Sequence, residues 1–341
     1  MTTSRPGLSI VVPAFNNAVQ LQACLQALPA ASTAPHEILV VDDGSTQEIR
    51  DIAEHNGAAY LRLDSNSGPS SARNAGARRA AGDVLVFIDS DVVVAPGGID
   101  RLVGALDADR DVAAVFGSYD DNPSAPGILS QYRNLLHHYM HQTASPEAST
   151  FWAGLGAVRR PVFEAIGGFD ERRFSRCMED IELGYRLRQS GYRIRLEKTA
   201  QGTHLKRWTL RSVIRTDVHC RAIPWSQLLI EGKGQTGDLN VKRGQRISVA
   251  LTGLAGVALA LAVVQPSALA AAAAALAGVL VLNRDLYAYL VRERGVIFTC
   301  AAIPFHLLYF VYSGLAYAWV WGTHRLTGLA SALTGLKDTR F

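Results

Sequence analysis

The distribution of charge along this 341-residue chain constrains its fold more than any other feature. Residues 247–282 contain no Asp, Glu, Lys or Arg, and residues 296–323 contain none either. A charge-free apolar run of about 20 residues can cross the hydrocarbon core of a bilayer as a helix. We therefore predict transmembrane helices after a soluble domain; the alternative for the apolar runs is a buried helical core.

The predicted organisation has four parts. A soluble domain covers residues 1–232, a Gly- and Lys-rich linker covers 233–246, and a tail covers 322–341. The predicted transmembrane helices are 247–264, 266–282 and 296–321. A second interpretation of residues 284–294 is an amphipathic interfacial helix whose Leu286, Tyr289 and Leu290 face lipid.

Basic residues on both sides of the first two spans predict the topology. Before them stand Lys242, Arg243 and Arg246, and after them stand Arg284, Arg292 and Arg294. By the positive-inside rule both flanks are cytoplasmic, so the two spans form a hairpin. A third span would place the tail on the side of the membrane away from the cytoplasm. This conflicts with the positive-inside rule, because the tail carries Arg325, Lys337 and Arg340. The number of spans and the side of the C-terminus stay open.

Charge and cysteine usage narrow the compartment and the partners. The net charge is +4, and its Lys and Arg residues are scattered, so we expect no nucleic-acid partner. No CxxC motif occurs, which favours reduced thiols. The N-terminal apolar run is short and is interrupted at Pro13, unlike a signal peptide. These features predict an inner (cytoplasmic) membrane protein whose soluble domain faces the cytoplasm.

The first half of the soluble domain alternates between apolar β-rich runs and helical stretches. Strands are predicted at 8–13, 37–42, 59–63, 84–89 and 112–118, and helices at 19–28, 47–55, 69–81, 97–107 and 129–142. Runs such as VLVFI are apolar throughout, as expected of strands that helices cover on both faces. The pattern predicts an α/β fold with a doubly wound sheet.

Acidic residues follow two of the predicted strands, at the edge where such sheets bind ligands. Asp89 and Asp91 flank Ser90, and hard carboxylate oxygens in this spacing suit Mg²⁺ or Mn²⁺ bridging to a diphosphate. His204 is a further candidate metal ligand. The alternative is a solvated acidic turn.

Other polar residues suit the binding of a nucleotide. Asp42, in the sequence Asp42-Asp43-Gly44-Ser45, can accept hydrogen bonds from a nucleobase or a ribose. Gly68 permits close backbone approach, and Arg73 suits a diphosphate or a neighbouring carboxylate. The alternatives are an ordinary turn for the first segment and a capped helix with an exposed Arg for the second.

Glu179 and Asp180 precede a helical pattern. A carboxylate at a helix N-terminus is stabilised by the helix dipole, so simple capping is one interpretation. The functional interpretation is a general base that takes a proton from an acceptor hydroxyl.

The order of these motifs resembles the family 2 glycosyltransferases. The motifs, which together span about residues 8–195, are IVVPAFNNA, VVDDGS, NSGPSSARNAG, FIDSDV, GAVRRPVFEAIGGFDE and MEDIELGYRLRQSGY. The resemblance implies a GT-A fold that binds nucleotide sugars, and inversion at the anomeric carbon.

The resemblance also implies roles for individual residues. Asp180 is the expected catalytic base, with Glu179 beside it. For the donor and the metal, the resemblance implies Asp42, Asp89 and Asp91. With the candidates taken from the residues themselves, the expected donor-binding residues are Pro13, Asp42, Asp43, Gly68, Arg73 and Asp89, and the expected metal ligands are Asp89, Asp91 and His204. Gly168 and Asp170 lie in the expected acceptor-side loop.

Arg221 and Trp225 are also expected on the acceptor side, because Arg221-Ala222-Ile223-Pro224-Trp225 stands where cellulose synthase-like members carry QxxRW. The segment departs from that motif, with Arg in place of Gln and Pro in place of Arg. Together with only three predicted spans, this departure favours single transfer over processive polymerisation.

These features predict an inverting, metal-dependent enzyme that moves a sugar from a nucleotide-sugar donor to a membrane-associated acceptor. Glycolipids, lipid-linked sugars and polysaccharide precursors fit, since a hydroxyl acceptor needs a base. One alternative is a non-catalytic nucleotide-sugar-binding scaffold. The other is a small transporter, which the absence of charge inside the spans disfavours.

Overall fold

A computed structural model describes residues 7–34, 36–232 and 242–334, with side chains described as far as 327. The chain divides into two compact units between Trp208 and Thr209. Most of the predicted linker and the end of the predicted tail lie outside the described residues, and the predicted domain boundary at 232 stays a prediction.

The described residues of the first unit form one mixed sheet of nine strands. They are β1 (Leu8–Ala14), β2 (His36–Asp42), β3 (Ala59–Arg62), β4 (Val84–Ile88), β5 (Val92–Val94), β6 (Val112–Tyr119), β7 (Glu147–Ala148), β8 (Leu155–Arg159) and β9 (Arg193–His204). The spatial order is β3-β2-β1-β4-β8-β6-β9-β5, with β7 beside β9. β1 to β4 are parallel, whereas β8 runs antiparallel to both β4 and β6.

Helices of the first unit alternate with these strands. They are α1 (Ala18–Ala31), α2 (Arg50–His55), α3 (Pro69–Arg79), α4 (Gly98–Ala108), α5 (Ile128–Gln142), α6 (Arg160–Ala165) and α7 (Glu179–Gln189). Every residue of β1, β4 and β6 is buried, as their continuous apolar runs predict. The predicted α/β fold class is confirmed.

Close packing between α3 and the sheet depends on Gly76. A Cβ atom there would lie 2.4 Å from Val11 Cγ1 and 3.1 Å from Val41 Cγ2. Because Gly76 lacks a side chain, α3 lies directly on β1 and β2. Arg73 stands one turn earlier on α3, so this packing also places its guanidinium near the ends of the strands.

The described part of the second unit is helical. It comprises α8 (Leu210–Asp217), a π-helical turn (Val218–Ala222), α9 (Ile223–Ile230), α10 (Arg243–Leu261), α11 (Ala268–Leu282) and α12 (Arg284–Thr334). By length and composition, the two segments Arg243–Leu261 and Arg284–Thr327 can cross a membrane. α11 is apolar but has only 15 residues, fewer than the usual span of about 20. The three predicted spans stay a prediction.

α12 bends sharply at Gly295, where φ is 85° and ψ is 172°. Tyr287 Oη lies 3.0 Å from His306 Nδ1. In a straight helix, a separation of 19 residues would be about 28 Å, so the two arms fold back against each other. Only glycine adopts such a φ and ψ without strain.

The fold of α12 corrects one expectation from the sequence. Leu286, Tyr289 and Leu290 are at most 8% exposed, because they pack inside the helical unit. The prediction that these three side chains face lipid is therefore wrong for this segment. Amphipathic spacing alone does not distinguish a lipid-facing surface from one that another helix covers.

Gly184 on α7 generates a test of the packing. We expect Gly184→Ala to lower the free energy of unfolding by about 2 kcal/mol, because a Cβ would lie 2.3 Å from Phe151 N. The matched control is Gly104→Ala on α4, where nothing lies within 4 Å, and which should stabilise by about 0.5–1 kcal/mol. Thermal unfolding of the full-length protein in detergent measures both, and a neutral Gly184→Ala contradicts the packing.

Candidate active site

The carboxyl ends of β1, β2 and β4 meet at one edge of the sheet. Ala14 pairs with Asp42 in the β1–β2 register, and Asp43 N–H donates to Ala14 O at 2.9 Å. Pro13 is buried within β1. Asp89 follows β4 directly, so both acidic motifs lie where the parallel register places them.

Arg73 connects two of the predicted motifs. Its Nη2 donates to Asp89 Oδ1 at 2.6 Å, and its Nη1 donates to Glu179 Oε1 at 2.6 Å. The Arg73 side chain is only 4% exposed, and its guanidinium lies 5.6 Å from the centre of the Phe169 ring. Burial by itself lowers the pKa of Arg73, but the charges of Asp89 and Glu179 outweigh it and raise the pKa above its usual value.

In this arrangement Arg73 contacts carboxylates, one of the two kinds of partner that the sequence left open, and its predicted donor-binding role stays a prediction. Both terminal nitrogens of the guanidinium bind carboxylates, one from each of two sequence-distant motifs. Removing one partner of a buried ion pair costs about 3–5 kcal/mol, since the other charge is left uncompensated. Arg73 therefore holds Asp89 and Glu179 in place.

The two carboxylates of the Asp89-Ser90-Asp91 motif have different partners. Asp89 binds Arg73, whereas Asp91 Oδ2 lies 3.4 Å from His204 Nε2. The His204 ring stacks on Tyr119 at a centroid distance of 4.4 Å, which fixes its orientation. Burial tends to raise the pKa of Asp91, but the His204 contact more than offsets it, and the pKa lies below its usual value.

Asp91 and His204 are the predicted metal ligands that the structure brings into contact. The described ranges contain no group of three or more His, Cys, Asp or Glu side chains arranged to hold an ion. A carboxylate oxygen and an imidazole nitrogen are both suitable ligands for Mn²⁺.

Asp180, the predicted base, is partly buried at the start of α7. Its Oδ2 accepts from Ala153 N–H at 3.3 Å and its Oδ1 from Ile181 N–H at 2.8 Å. Burial, and then the charge of Glu179, raise its pKa to about 7, although the positive charge of Arg73 opposes this shift. A carboxyl group with a pKa near the operating pH is suited to general-base catalysis.

The residue before this pair has an uncommon backbone conformation. Met178 caps α7 with φ at 67°, in the left-handed region that L-residues with a side chain rarely adopt. Such conformations cost about 1–3 kcal/mol and concentrate at functional sites. The strained residue, Met178, lies where the loop enters α7, directly before Glu179 and Asp180.

Asp42 and Asp43 are both buried and engaged. Asp42 Oδ1 accepts from Ser45 N–H at 2.8 Å, and its Oδ2 accepts from Tyr60 and Arg62. Burial tends to raise the pKa of Asp42, but the Ser45 and Tyr60 hydrogen bonds and the Arg62 charge hold it below its usual value.

Asp43 organises the loop before α3. Its carboxylate accepts from Ser67 N–H and Gly68 N–H, both at 2.8 Å, and from the Asn66 side chain at 3.1 Å. Gly68 has φ at 95°, and a Cβ there would lie 2.1 Å from Ser175 O. The predicted need for glycine at this position follows from this close backbone approach within the protein.

The predicted acceptor-side loop borders an open cleft of about 730 Å³. Gly168 has φ at 69°, and a Cβ there would lie 2.7 Å from Asn74 Oδ1. Asp170 Oδ1 accepts from Arg172 N–H and Arg173 N–H at 3.0 Å each, so it shapes the turn that follows. The cleft is also lined by Glu182 and Arg186. The acceptor-side role of Gly168 and Asp170 stays a prediction.

Arg221 and Trp225 belong to the second unit. Arg221, in the π-helical turn, donates to Asp217 Oδ1 at 3.2 Å, and Asp217 also accepts from Tyr312 Oη. Trp225 on α9 is 8% exposed. Their predicted acceptor-side role stays untested.

The structure adds residues that the motifs did not indicate. Phe15 is 44% exposed directly after β1, and Tyr60 and Arg62 on β3 bind Asp42. Asn17 Nδ2 donates to Ser90 Oγ at 2.5 Å, which joins the loops after β1 and β4. The exposed aromatic after an apolar strand was visible in the sequence; the other contacts depend on which strands are neighbours.

Comparison with known proteins adds to this geometry. Residues 9–167 match the model of glycosyl transferase family 2. Glycosyltransferase AglE of Haloferax volcanii is 27% identical over 212 residues, covering 60% of this chain and 68% of that protein. The pre-mycofactocin glycosyltransferase of Mycobacterium tuberculosis is 30% identical over 223 residues, covering 62% of this chain and 45% of that protein. The chain thus spans less than half of the mycobacterial relative.

A solved structure extends the likeness beyond the family domain. The mannosyltransferase PcManGT of Pyrobaculum calidifontis, in complex with GDP-Man and Mn²⁺, aligns with a TM-score of 0.57 at 18% identity. The alignment covers 93% of this chain and 88% of that one, and shows a common GT-A fold.

The family match and the named relatives together indicate a nucleotide-sugar-dependent glycosyltransferase domain. Residues 9–167 carry a family 2 glycosyltransferase domain, and the C-terminal unit carries apolar helices that can span a membrane by length and composition. The predicted family, fold and enzyme class are confirmed.

The raised pKa of Asp180 predicts a pH dependence. A base acts only when deprotonated, so kcat/KM should rise with pH through about 7 and level off above it. Asp180→Glu should retain part of the activity with a displaced midpoint. A pH profile that is flat between 5.5 and 8.5 contradicts the assignment of Asp180 as the base.

Proposed function

We propose that this protein is an inverting, single-transfer glycosyltransferase that moves a sugar from a nucleotide-sugar donor to a hydroxyl group of a membrane-associated acceptor. The observation that carries the proposal is the contact of Arg73 with both Asp89 and Glu179, next to Asp180 in the chain. It joins a donor-side carboxylate to the residue directly before the candidate base, Asp180.

Donor binding is assigned to the carboxyl edge of β1, β2 and β4. The loop held by Asp43 begins α3, and Arg73 provides positive charge beside Asp89. The departing nucleoside diphosphate develops negative charge, which fixed positive groups in a buried site stabilise. Pro13 and Gly68 shape the backbone of this edge rather than providing side-chain ligands.

The donor set at Asp91 and His204 fits a divalent cation. Asp91 and His204 would hold the cation through one oxygen and one nitrogen, with Asp89 two residues away in the chain. Bound Mn²⁺ or Mg²⁺ would neutralise charge on the leaving diphosphate. The structure of PcManGT is named as a complex with GDP-Man and Mn²⁺, which supports the proposal of a bound cation.

Asp180 performs the proton transfer. It takes the proton of the acceptor hydroxyl, whose oxygen forms a bond to the anomeric carbon as the bond from that carbon to the diphosphate oxygen breaks. Attack opposite to the leaving group inverts the configuration. Because the Asp180 pKa is about 7, a substantial fraction of the group is ionised at neutral pH.

The acceptor is proposed to lie at a membrane surface. Two helices of the second unit can cross a bilayer, and such helices would keep the soluble unit next to lipid-linked substrates. We place the protein in the cytoplasmic membrane with its catalytic domain on the cytoplasmic side, where the basic flanks of the apolar helices favour it. A glycolipid, a lipid-linked sugar or a polysaccharide precursor satisfies the need for a hydroxyl.

A non-catalytic scaffold is the second candidate. It predicts donor binding without turnover, and usually a lost carboxylate in one of the motifs. Asp89, Asp91, Glu179 and Asp180 are all present, and the first three have defined partners. The enzyme is therefore preferred.

The first test measures release of nucleoside diphosphate from UDP-, GDP- and dTDP-sugars, with membrane lipid extract and Mn²⁺ or Mg²⁺. We expect turnover with one donor, and a fall of about 10²–10⁴-fold in kcat in Asp180→Asn. The matched control is Asp107→Asn, an exposed carboxylate at the end of α4, which should retain full activity. Binding without release in the wild type would favour the scaffold.

A second test concerns Arg73. Arg73→Lys retains the charge but cannot bind Asp89 and Glu179 with two planar nitrogens at once. We expect kcat to fall by about 10²-fold with a smaller change in KM, since the carboxylates lose their positions. Arg78→Lys on the exposed face of the same helix is the control. Unchanged kcat in Arg73→Lys contradicts the positioning role.

A further inference from the structure

The strand order places a second charged group along the ligand edge. Arg62 ends β3 and Asp89 follows β4, and β2 and β1 lie between these two strands. Neighbouring strands lie about 4.8 Å apart, so the two ends are separated by about 14 Å. If the reacting centre lies at Asp89 and Asp180, as the proposed function requires, a donor extended along this edge brings its nucleobase to β2 and β3.

Asp42, the acidic residue at the end of β2, has little hydrogen-bonding capacity left. Its side chain is 0% exposed, and its two oxygens already accept from Ser45 N–H, Tyr60 Oη and Arg62 Nη1. A carboxylate accepts about four hydrogen bonds. The positive charge of Arg62, 2.6 Å away, also offsets the negative charge of Asp42.

Arg62, unlike Asp42, still has hydrogen-bonding groups that a ligand can reach. Its Nη1 donates to Asp42 and its Nη2 donates to Ser45 O at 2.8 Å, which fixes the plane of the guanidinium. The side chain is nevertheless 46% exposed. A guanidinium has five N–H donors; Asp42, Ser45 O and the Tyr60 side chain engage up to three of them, so at least two remain. The edge therefore offers a ligand a held, planar set of donors.

We propose that Arg62 reads the nucleobase of the donor and selects guanine. Guanine presents two adjacent acceptors, O6 and N7, which match an arginine in a bidentate contact. Adenine and cytosine carry an amino donor at the corresponding position, and uracil and thymine carry O4 without an adjacent acceptor. The expected donor class is a guanosine diphosphate sugar.

The experiment measures equilibrium dissociation constants of GDP, UDP, dTDP and ADP for the full-length protein in detergent micelles with Mg²⁺ or Mn²⁺. The wild type should bind GDP about tenfold or more tightly than UDP, as expected for one bidentate pair. Arg62→Lys keeps a positive charge beside Asp42 but loses the planar donor pair, so the preference should fall to about twofold or less.

The matched control is Arg50→Lys, whose guanidinium lies 4.6 Å from the Tyr60 ring and contacts neither Asp42 nor Ser45 in the described structure; it should keep the preference. Thermal unfolding of each variant shows whether it is folded, and Arg62→Gln serves as a second variant. Equal binding of GDP and UDP by the wild type, or a preference that survives both folded variants, overturns the inference and leaves the proposed function standing. Failure to bind any nucleoside diphosphate overturns both.

Discussion

The candidate site depends on the two ion pairs that the buried guanidinium of Arg73 forms with carboxylates. The guanidinium binds Asp89 from the end of β4 and Glu179 from the start of α7, two segments about 90 residues apart in sequence. The Glu179 side chain is 8% exposed and that of Asp89 is 32% exposed, so the pair with Glu179 is the buried one. The same positive charge opposes the rise in the pKa of Asp180, and so keeps this carboxyl group usable as a base near neutral pH.

The backbone makes this contact possible through small residues at close approaches. Gly76 allows α3 to lie on β1, which brings Arg73 to the edge of the sheet, and Gly68 lets the preceding loop pass close to Ser175 O. Gly184 lets α7 lie against the backbone of Phe151, so that Glu179 and Asp180 reach the same edge. Each of these glycines thus permits a close approach that helps to position a charged side chain elsewhere in the site.

The second unit obeys different constraints. Its long apolar helices suit a bilayer, yet Gly295 folds α12 back on itself, so Leu286 and Leu290 are covered by protein. Apolar composition predicted helices in this region correctly, because charge-free runs have few other stable structures. It did not predict which apolar faces pack against each other, since a helix and a lipid tail offer nearly the same environment to leucine.

The sequence by itself determined the alternation of strands and helices, the fold class and the positions of the acidic motifs. These follow from local rules: apolar runs, turn residues and strand ends. Only the tertiary structure decided which charged side chains contact each other. That Arg73 bridges Asp89 and Glu179, that Asp91 contacts His204, and that Arg62 covers Asp42 depends on strand order and helix packing. Sequence spacing cannot show these contacts, because their residues are distant in the chain and charge alone allows many pairings.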